Sequence, residues 1–155
     1  MGTDLTKPRL RVVAAALFDD AGRVLLAERP AGKHMAGWWE FPGGKVADGE
    51  SDAAALEREL REELGIEARA HRQIAALGHE YPDRIVDLTL WHASIAHGEP
   101  RGLDGQNLKW VDCRALAAER LLPADQPLIP ALQALSSRDD WCLTQPDLNG
   151  EFDGR

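Results

Sequence analysis

The segment ERELREELG, residues 57–65, carries four glutamates in a chain whose formal net charge is already −8. On a helix that turns about 100° per residue, Glu59, Glu62 and Glu63 share one face, whereas Glu57 points away. Like charges at such spacings destabilise a helix by about 0.2–0.5 kcal/mol per pair. Hard divalent cations prefer carboxylate oxygens and would offset that repulsion. The cluster therefore predicts a cation site, against the plainer alternative of a solvated helix rich in a good helix former.

The residues around the cluster define the helix that would position it. Ser51 is a suitable N-cap and Gly65 a suitable C-cap, which predicts a helix over residues 52–64. An apolar stripe beside the glutamate face would pack on a sheet; it consists of Ala53, Leu56, Leu60 and Leu64. The glutamates would then stand at the edge of the core, with Arg58 placed to pair with Glu62 one turn later.

The glutamate helix is also part of a longer pattern of spacing that begins at a glycine pair. From Gly44 to Ile66 the sequence reads GX5EX7REUXEEXGU, where U is a bulky aliphatic residue. This pattern resembles the signature of the Nudix hydrolases, and no specified position departs from it. The resemblance implies an α/β fold, the Nudix α/β/α sandwich with a mixed β-sheet. It also implies an enzyme that hydrolyses a nucleoside diphosphate linked to another group.

The same resemblance implies a divalent cofactor, Mg²⁺ or Mn²⁺, and roles for individual residues. The metal ligands would be Glu59, Glu62, Glu63, the backbone carbonyl of Gly43 and Asp104. Glu50 and Arg58 would support them, Arg58 by orienting the carboxylates, and Lys45 is placed to touch phosphate. The ions would neutralise a polyphosphate and activate water for in-line attack on phosphorus. Either Asp104 or a helix glutamate would act as the general base, and the sequence leaves both open.

Further landmarks resemble the MutT-like branch of the family, which converts 8-oxo-dGTP to 8-oxo-dGMP and pyrophosphate. The motifs AERP, EFPGGK, YPDR and PADQPLI occur in matching order between residues 9 and 135. By this resemblance Arg29 would bind the α-phosphate side of the substrate. The nucleotide pocket would be lined by His34, Phe41, Asp83 and Arg84. The plainer alternatives are a core role for Phe41, a surface loop position for His34 and an ordinary turn ion pair for Asp83 with Arg84.

Two departures from the MutT pattern bear on the reaction and on the base. Asp104 stands where MutT has glutamate, and Asp125 stands where MutT reads oxidised guanine with asparagine. An ionised carboxylate only accepts hydrogen bonds, which suits the exocyclic amine of cytosine, whereas a protonated one could serve 8-oxoguanine. The predicted substrate is therefore 8-oxo-dGTP, and the alternative is CTP, 5-substituted (d)CTP or a broad range of nucleoside triphosphates.

A Nudix fold can also be a non-catalytic ligand-binding or regulatory module. Such a module would be expected to lose ligand carboxylates, and this chain keeps Glu59, Glu62 and Glu63. The sequence thus favours an enzyme over a module of this kind.

The rest of the chain supplies strands and two short helices around the glutamate helix. Residues 9–30 predict two strands joined as a hairpin at a turn over 19–22. Further strands are predicted over 69–81, 84–98 and 107–112, and helices over 114–120 and 125–135. The length of 155 residues fits one Nudix hydrolase domain over residues 1–137, followed by a tail of unassigned role over 138–155.

Composition limits the partners and the compartment. The chain has 26 Asp and Glu against 18 Lys and Arg, which disfavours a nucleic-acid polymer as the main partner. No apolar run approaches the ~20 residues of a membrane span. The two cysteines lack a CxxC or metal-like spacing, which predicts a soluble protein of the reducing cytoplasm. A nucleoside triphosphate is the expected partner, and the sequence leaves the oligomeric state open.

Overall fold

The computed structural model describes residues 7–136 and contains two sheets and two α-helices. The strands are β1 (Arg9–Leu17), β2 (Arg23–Glu28), β3 (Trp39–Glu40), β4 (Gly43–Lys45), β5 (Glu67–Glu80), β6 (Ile85–His97) and β7 (Leu108–Asp112). The helices are α1 (Asp52–Leu64) and α2 (Ile129–Ser136). The predicted tail over 138–155 lies outside the described residues. Within residues 7–136, no helix is both long and apolar enough to cross a membrane.

The larger sheet is mixed, as predicted. Its strand order is β4-β1-β6-β5, with β1 parallel to β6 and the other two pairings antiparallel. The smaller sheet has the order β3-β2-β7 and is antiparallel. The hairpin predicted over residues 9–30 is therefore wrong in its pairing, although the turn at 19–22 is present. Because β4 and β6 occupy both edges of β1, β2 joins the other sheet, and a single bridge between Phe18 and Val24 links the two strands.

Helix α1 forms where the sequence predicts it, with both caps in place. The Ser51 Oγ accepts a hydrogen bond from the Ala54 N–H at 3.1 Å, and Gly65 ends the helix with a left-handed φ of 71°. The buried residues of α1 are Ala55, Leu56, Leu60 and Leu64. Ala53 of the predicted stripe is only half-buried, because the buried face is centred one position further along the helix.

Two apolar layers lie on opposite faces of β1, since successive side chains of a strand point to opposite sides. Val13, Ala15 and Leu17 pack with the leucines of α1. Ala14, Ala16 and Phe18 pack with the segment that includes Leu128 and Leu132. The sheet is thus covered on both faces, which confirms the α/β/α sandwich.

The C-terminal helices are shorter than predicted. Residues 114–120 were expected to form an α-helix, but a 3-10 helix spans Cys113–Ala118. The helix expected over 125–135 begins as a 3-10 turn, Gln126–Leu128, and becomes α2 only at Ile129. Pro127 and Pro130 explain the late start, because proline lacks the N–H that an α-helix interior needs. Asp125 therefore precedes a tight turn.

Candidate active site

Two carboxylates of α1 rest directly on the glycine pair of β4. A Cβ at Gly44 would lie 2.6 Å from Glu59 Oε2, so that position has room for a hydrogen atom only. The Gly43 backbone interacts with the Glu63 carboxylate and opposes the effect of burial on the pKa of Glu63. On its other side Gly43 lies against β1, where a Cβ would be 2.8 Å from Ala14 Cα. The two glycines therefore let the helix, β4 and β1 approach closely enough to hold Glu59 and Glu63 side by side.

Arg58 connects the helix to the loop that precedes it. Its Nε donates to Glu50 Oε2 at 2.6 Å, and its Nη2 donates to the Lys45 carbonyl at 3.1 Å. Its Nη1 donates to Glu59 Oε2 and to Glu62 Oε1, both at 3.2 Å. The hydrogen bond from Arg58, together with one from the Ala47 N–H, lowers the pKa of Glu50 to about 2. These contacts join Arg58 to Glu50, Glu59 and Glu62, and the supporting and orienting roles of Glu50 and Arg58 stay predictions.

Negative charge is concentrated around Glu63. Partial burial, together with the nearby carboxylates of Glu59, Glu40 and Asp104, raises the pKa of Glu63 to about 8. Burial also raises the pKa of Glu59, although Arg58 opposes that effect. A group of carboxylates held together at this cost calls for a cation, because a cation favours their ionised forms.

The donor atoms suit Mg²⁺ or Mn²⁺, which prefer several hard oxygen ligands. The carboxylates of Glu59 and Asp104 lie close enough to Glu63 to raise its pKa, so three of the predicted ligands lie near one another. Glu62 is different, since its side chain is 57% exposed and bonded to Arg58. Across residues 7–136, no three Asp, Glu, His or Cys side chains converge at distances that would hold an ion. Side-chain rotation at this glutamate face is therefore needed before it could chelate a metal.

A pocket of about 120 Å³ opens beside Glu63. Its polar lining residues are Glu28, Arg29, Lys33, Glu40, Glu63, Asp104 and Gln106. The structure thus brings together three predicted residues: Arg29, which follows β2, Glu63 of α1 and Asp104 of the loop before β7. Gln106 holds that loop in place, because its Oε1 accepts from the Asp104 N–H at 2.9 Å and its Nε2 donates to the Glu63 carbonyl at 3.4 Å.

Sequence reasoning missed Glu28, Lys33, Glu40 and Gln106. A usable signal existed for Glu40, because it directly precedes the Phe41-Pro42-Gly43-Gly44 run and must enter the site with it. Glu28 stands in the AERP motif and Gln106 in the DGQ segment, but neither motif assigns a role to these two side chains, and Lys33 carries no local signal. Their position depends on how β2 and the loop before β7 meet.

Arg29 is oriented by two contacts at the pocket. Its Nε donates to the His34 carbonyl at 3.0 Å, and its Nη1 lies 3.6 Å from the Glu40 carboxylate. The His34 side chain is exposed, so the contribution of His34 to this arrangement comes from its backbone. Partial burial raises the pKa of Glu40, and Arg29 is the main opposing influence.

Asp125 is a buried acid, with 7% of its surface exposed. Its Oδ2 accepts a hydrogen bond from the Phe41 N–H at 3.0 Å. Burial, assisted by the charge of Glu40 and opposed by the hydrogen bond from Phe41, raises the pKa of Asp125 to about 7. Phe41 itself is part of the core. The structure therefore brings these two predicted pocket residues together through a backbone contact.

Three other predicted residues lie apart from the described lining of the Glu63 pocket. Asp83 and Arg84 form the turn between β5 and β6, where they pair with each other and Arg84 lies over the Tyr81 ring at 4.6 Å. Lys45 is exposed, and its backbone carbonyl, rather than its ammonium group, contacts Arg58. The roles predicted for these three side chains stay predictions.

The raised pKa values predict that the protein loses stability as the pH rises. The folded-state pKa of Glu63, about 8, exceeds the value near 4.5 of an ordinary glutamate, so the folded form binds the proton more tightly between these limits. The free energy of unfolding should therefore fall from about pH 5 to pH 8, with Asp125 contributing in the same direction up to about 7. Glu63→Gln should flatten this fall.

Thermal unfolding in EDTA, measured from pH 5 to 8.5, would test this expectation. Glu67→Gln is a suitable control because Glu67 is exposed at the start of β5. Parallel curves of Tm against pH for the parent and Glu63→Gln would contradict the expectation.

The sandwich, the helix carboxylates on a glycine pair and the arginine that orients them define a protein class. The chain matches the NUDIX domain over residues 7–132 and belongs to the Nudix family, and it is a hydrolase of that family. This confirms the family, fold and enzyme class predicted from the sequence.

Two relatives and one solved structure show which members of the Nudix family this chain resembles. The chain is 45% identical to the CTP pyrophosphohydrolase of Escherichia coli K12, over 79% of this chain and 91% of that protein. It is 35% identical to the 8-oxo-dGTP diphosphatase of the same organism, over 82% of this chain and 98% of that protein. The solution structure of the E. coli ORF135 protein superposes with a TM-score of 0.76 at 42% identity, covering 86% of this chain and 96% of that one.

Proposed function

We propose that the chain is a Mg²⁺-dependent or Mn²⁺-dependent pyrophosphohydrolase that converts nucleoside triphosphates to nucleoside monophosphates and pyrophosphate. The observation that carries this proposal is the seating of Glu59 and Glu63 on the Gly43-Gly44 pair, beside a pocket that also holds Arg29 and Asp104. Carboxylates that hold cations and a guanidinium that binds phosphate are the complementary parts of a polyphosphate site. The names of the two E. coli relatives support the same reaction class.

Divalent ions, when bound, would supply charge neutralisation and a more acidic water. Glu59 and Glu63 would hold them together with the Gly43 carbonyl, and Glu62 and Asp104 would complete the set. Arg58 would keep Glu59 and Glu62 oriented, while Arg29 would bind the phosphates. The water oxygen would attack the β-phosphorus, and the bond from that phosphorus to the α,β-bridging oxygen would break. A site carboxylate would take the water proton, so nucleoside monophosphate and pyrophosphate would leave.

The environment of Asp125 favours a cytidine nucleotide as the preferred substrate. One oxygen of its carboxylate is occupied by the Phe41 N–H, and the resemblance to MutT-like enzymes predicts that the base binds at this residue. An ionised carboxylate accepts from an exocyclic amine such as cytosine N4. The relative named CTP pyrophosphohydrolase, at 45% identity, supports this assignment.

The second candidate is 8-oxo-dGTP, and the protonation of Asp125 favours it. A pKa raised to about 7 leaves a substantial protonated fraction near neutral pH. A protonated acid donates a hydrogen bond, which suits the O6 of oxidised guanine. The relative named 8-oxo-dGTP diphosphatase supports this alternative.

Initial rates of pyrophosphate release with Mg²⁺ should separate the two candidates. We expect CTP and 5-methyl-dCTP to exceed 8-oxo-dGTP, dGTP and dATP at matched low substrate concentrations. Asp125→Asn keeps an oxygen for the Phe41 N–H but turns an amide N–H₂ toward the base, so kcat/KM for CTP should fall by about 10-fold to 100-fold. Asp20→Asn, in the exposed turn after β1, is the control.

A strong preference for 8-oxo-dGTP over both dGTP and CTP would favour the second candidate. If no nucleotide of the panel is hydrolysed in Mg²⁺ or in Mn²⁺, the result would contradict the proposed pyrophosphohydrolase activity. It would favour a ligand-binding module instead.

A further inference from the structure

Lys33 is a cation of the pocket that lies outside the sequence signature. It belongs to the segment between β2 and β3, residues 30–38, here called the clasp loop. Lys33 lines the same pocket as Arg29, Glu63 and Asp104. Lys45, for which a phosphate contact was predicted, is exposed like Lys33 but does not belong to the described lining of that pocket.

Arg29 directly precedes the clasp loop, and its backbone forms hydrogen bonds with the far end of that loop. The Arg29 N–H donates to the Trp38 carbonyl at 2.8 Å, and the Gly37 N–H donates to the Arg29 carbonyl at 3.0 Å. The Arg29 side chain closes the loop a second time by donating to the His34 carbonyl at 3.0 Å. Within the loop, Lys33 accepts from the Ala36 N–H and donates its own N–H to the Pro30 carbonyl, both at 3.2 Å. Lys33 therefore lies on a loop whose two ends are joined by hydrogen bonds.

The loop also contains a residue in an unfavourable backbone conformation. Met35 has a φ of 59°, in the left-handed region that non-glycine residues rarely adopt. Residues held in such conformations cluster at ligand-binding sites, where the surrounding structure determines them. The closed hydrogen bonding and the strained residue both indicate that the shape of the clasp loop is specified.

The acidic side chains of the pocket outnumber its basic ones, so the pocket can hold a second basic side chain beside Arg29. The lining includes the acids Glu28, Glu40, Glu63 and Asp104, while Arg29 and Lys33 are its basic residues. Arg29 and Lys33 both favour the ionised form of Glu40 and so lower its pKa against the effect of burial. Arg29 Nη1 lies 3.6 Å from the Glu40 carboxylate, and the charge of Lys33 acts on the same acid without a direct ion pair. A polyphosphate carries several negative charges and could take over both cations when it enters.

We propose that Lys33 is a substrate-binding residue that contacts the polyphosphate beside Arg29, with the clasp loop holding it at the pocket. This inference rests on the proposed function and adds a phosphate contact specific to the clasp loop of this chain. Lysine binds phosphate as a point charge with rotatable donors, so the contact does not require a bidentate geometry.

Binding of magnesium tripolyphosphate, measured by titration calorimetry on the full chain, tests the proposal without requiring turnover. Lys33→Gln should raise the Kd roughly tenfold or more, because a charge-assisted contact is lost. Lys33→Arg should restore most of the affinity. Arg114→Gln removes the same charge at a residue whose side chain is 82% exposed and pairs with Asp112, and it should leave the Kd unchanged. With CTP, Lys33→Gln should raise KM by a similar factor while kcat changes little.

Equal Kd values for the parent and Lys33→Gln would overturn the proposal, as would an equal loss in Arg114→Gln. A parent protein that binds tripolyphosphate through Lys33 but hydrolyses no nucleoside triphosphate would overturn the proposed function instead. The two ideas therefore fail by different results.

Discussion

Replacing Glu59 by glutamine should lower kcat/KM for the preferred nucleoside triphosphate by about 10³ or more, since a metal ligand's contribution of several kcal/mol to the transition state corresponds to such factors. The side chain of Glu59 is only 17% exposed and lies against Gly44, so glutamine fits the same space. Glutamine removes the charge that would attract a divalent ion. Steady-state rates over a range of Mg²⁺ concentrations would measure both the loss and any shift in metal requirement.

The fold should survive this substitution. Burial already disfavours the ionised form of Glu59, so a neutral residue of the same shape should leave Tm unchanged or slightly higher in EDTA. Glu67→Gln is the matched control, because it changes the same charge on an exposed residue outside the glutamate face. A Glu59→Gln protein with near-parental rates would exclude Glu59 as a metal ligand.

Gly44→Ala should abolish most activity through a single methyl group. The new Cβ would lie 2.6 Å from Glu59 Oε2, far inside normal contact distance, so the carboxylate must move away. The backbone of Gly44 is outside the left-handed region, so alanine adds no conformational strain of its own. Misplacement of a catalytic group by about 1 Å can cost about 10² in rate, and we expect a loss of at least that size in kcat.

Gly78→Ala is the control for Gly44→Ala. Its Cβ would meet Asp87 Oδ1 at 3.6 Å, an ordinary van der Waals contact, in strand β5. The rate of that variant should stay near the parental one. Full activity of Gly44→Ala would show that the seating of Glu59 on Gly44 has no part in the reaction.

The sequence predicts the local parts of this site well. Helix α1, its Ser51 and Gly65 caps and the shared face of its glutamates follow from residue preferences and spacing within one segment. The pairing of Arg58 with Glu62 follows from the same geometry, one turn apart. These features need no knowledge of the rest of the fold, which is why they were accessible.

The features of the fold and the site that could not be predicted from the sequence depend on contacts between segments far apart in the chain. Whether β2 pairs with β1 or with β7 is decided by competition among strands far apart in the chain. Lys33 enters the pocket because β2 and the clasp loop meet α1, and Asp125 reaches Phe41 across 84 positions of sequence. Pro127 and Pro130, which shorten the C-terminal helix, can be recognised in the sequence. The turn that follows Asp125 also depends on the burial of that residue in the fold.

The short segment from Phe41 to Gly43 has a consequence for fidelity. The Phe41 N–H is bonded to Asp125, and the backbone of Gly43, two residues later, interacts with the Glu63 carboxylate. Between them stands Pro42, whose ring restricts the backbone and keeps the two contacts in a fixed relation. If the base binds at Asp125 as proposed, a base that fits poorly there would disturb the alignment of Glu63 through the Phe41-Pro42-Gly43 segment. Incorrect nucleotides should then be rejected by slow turnover as well as by weak binding.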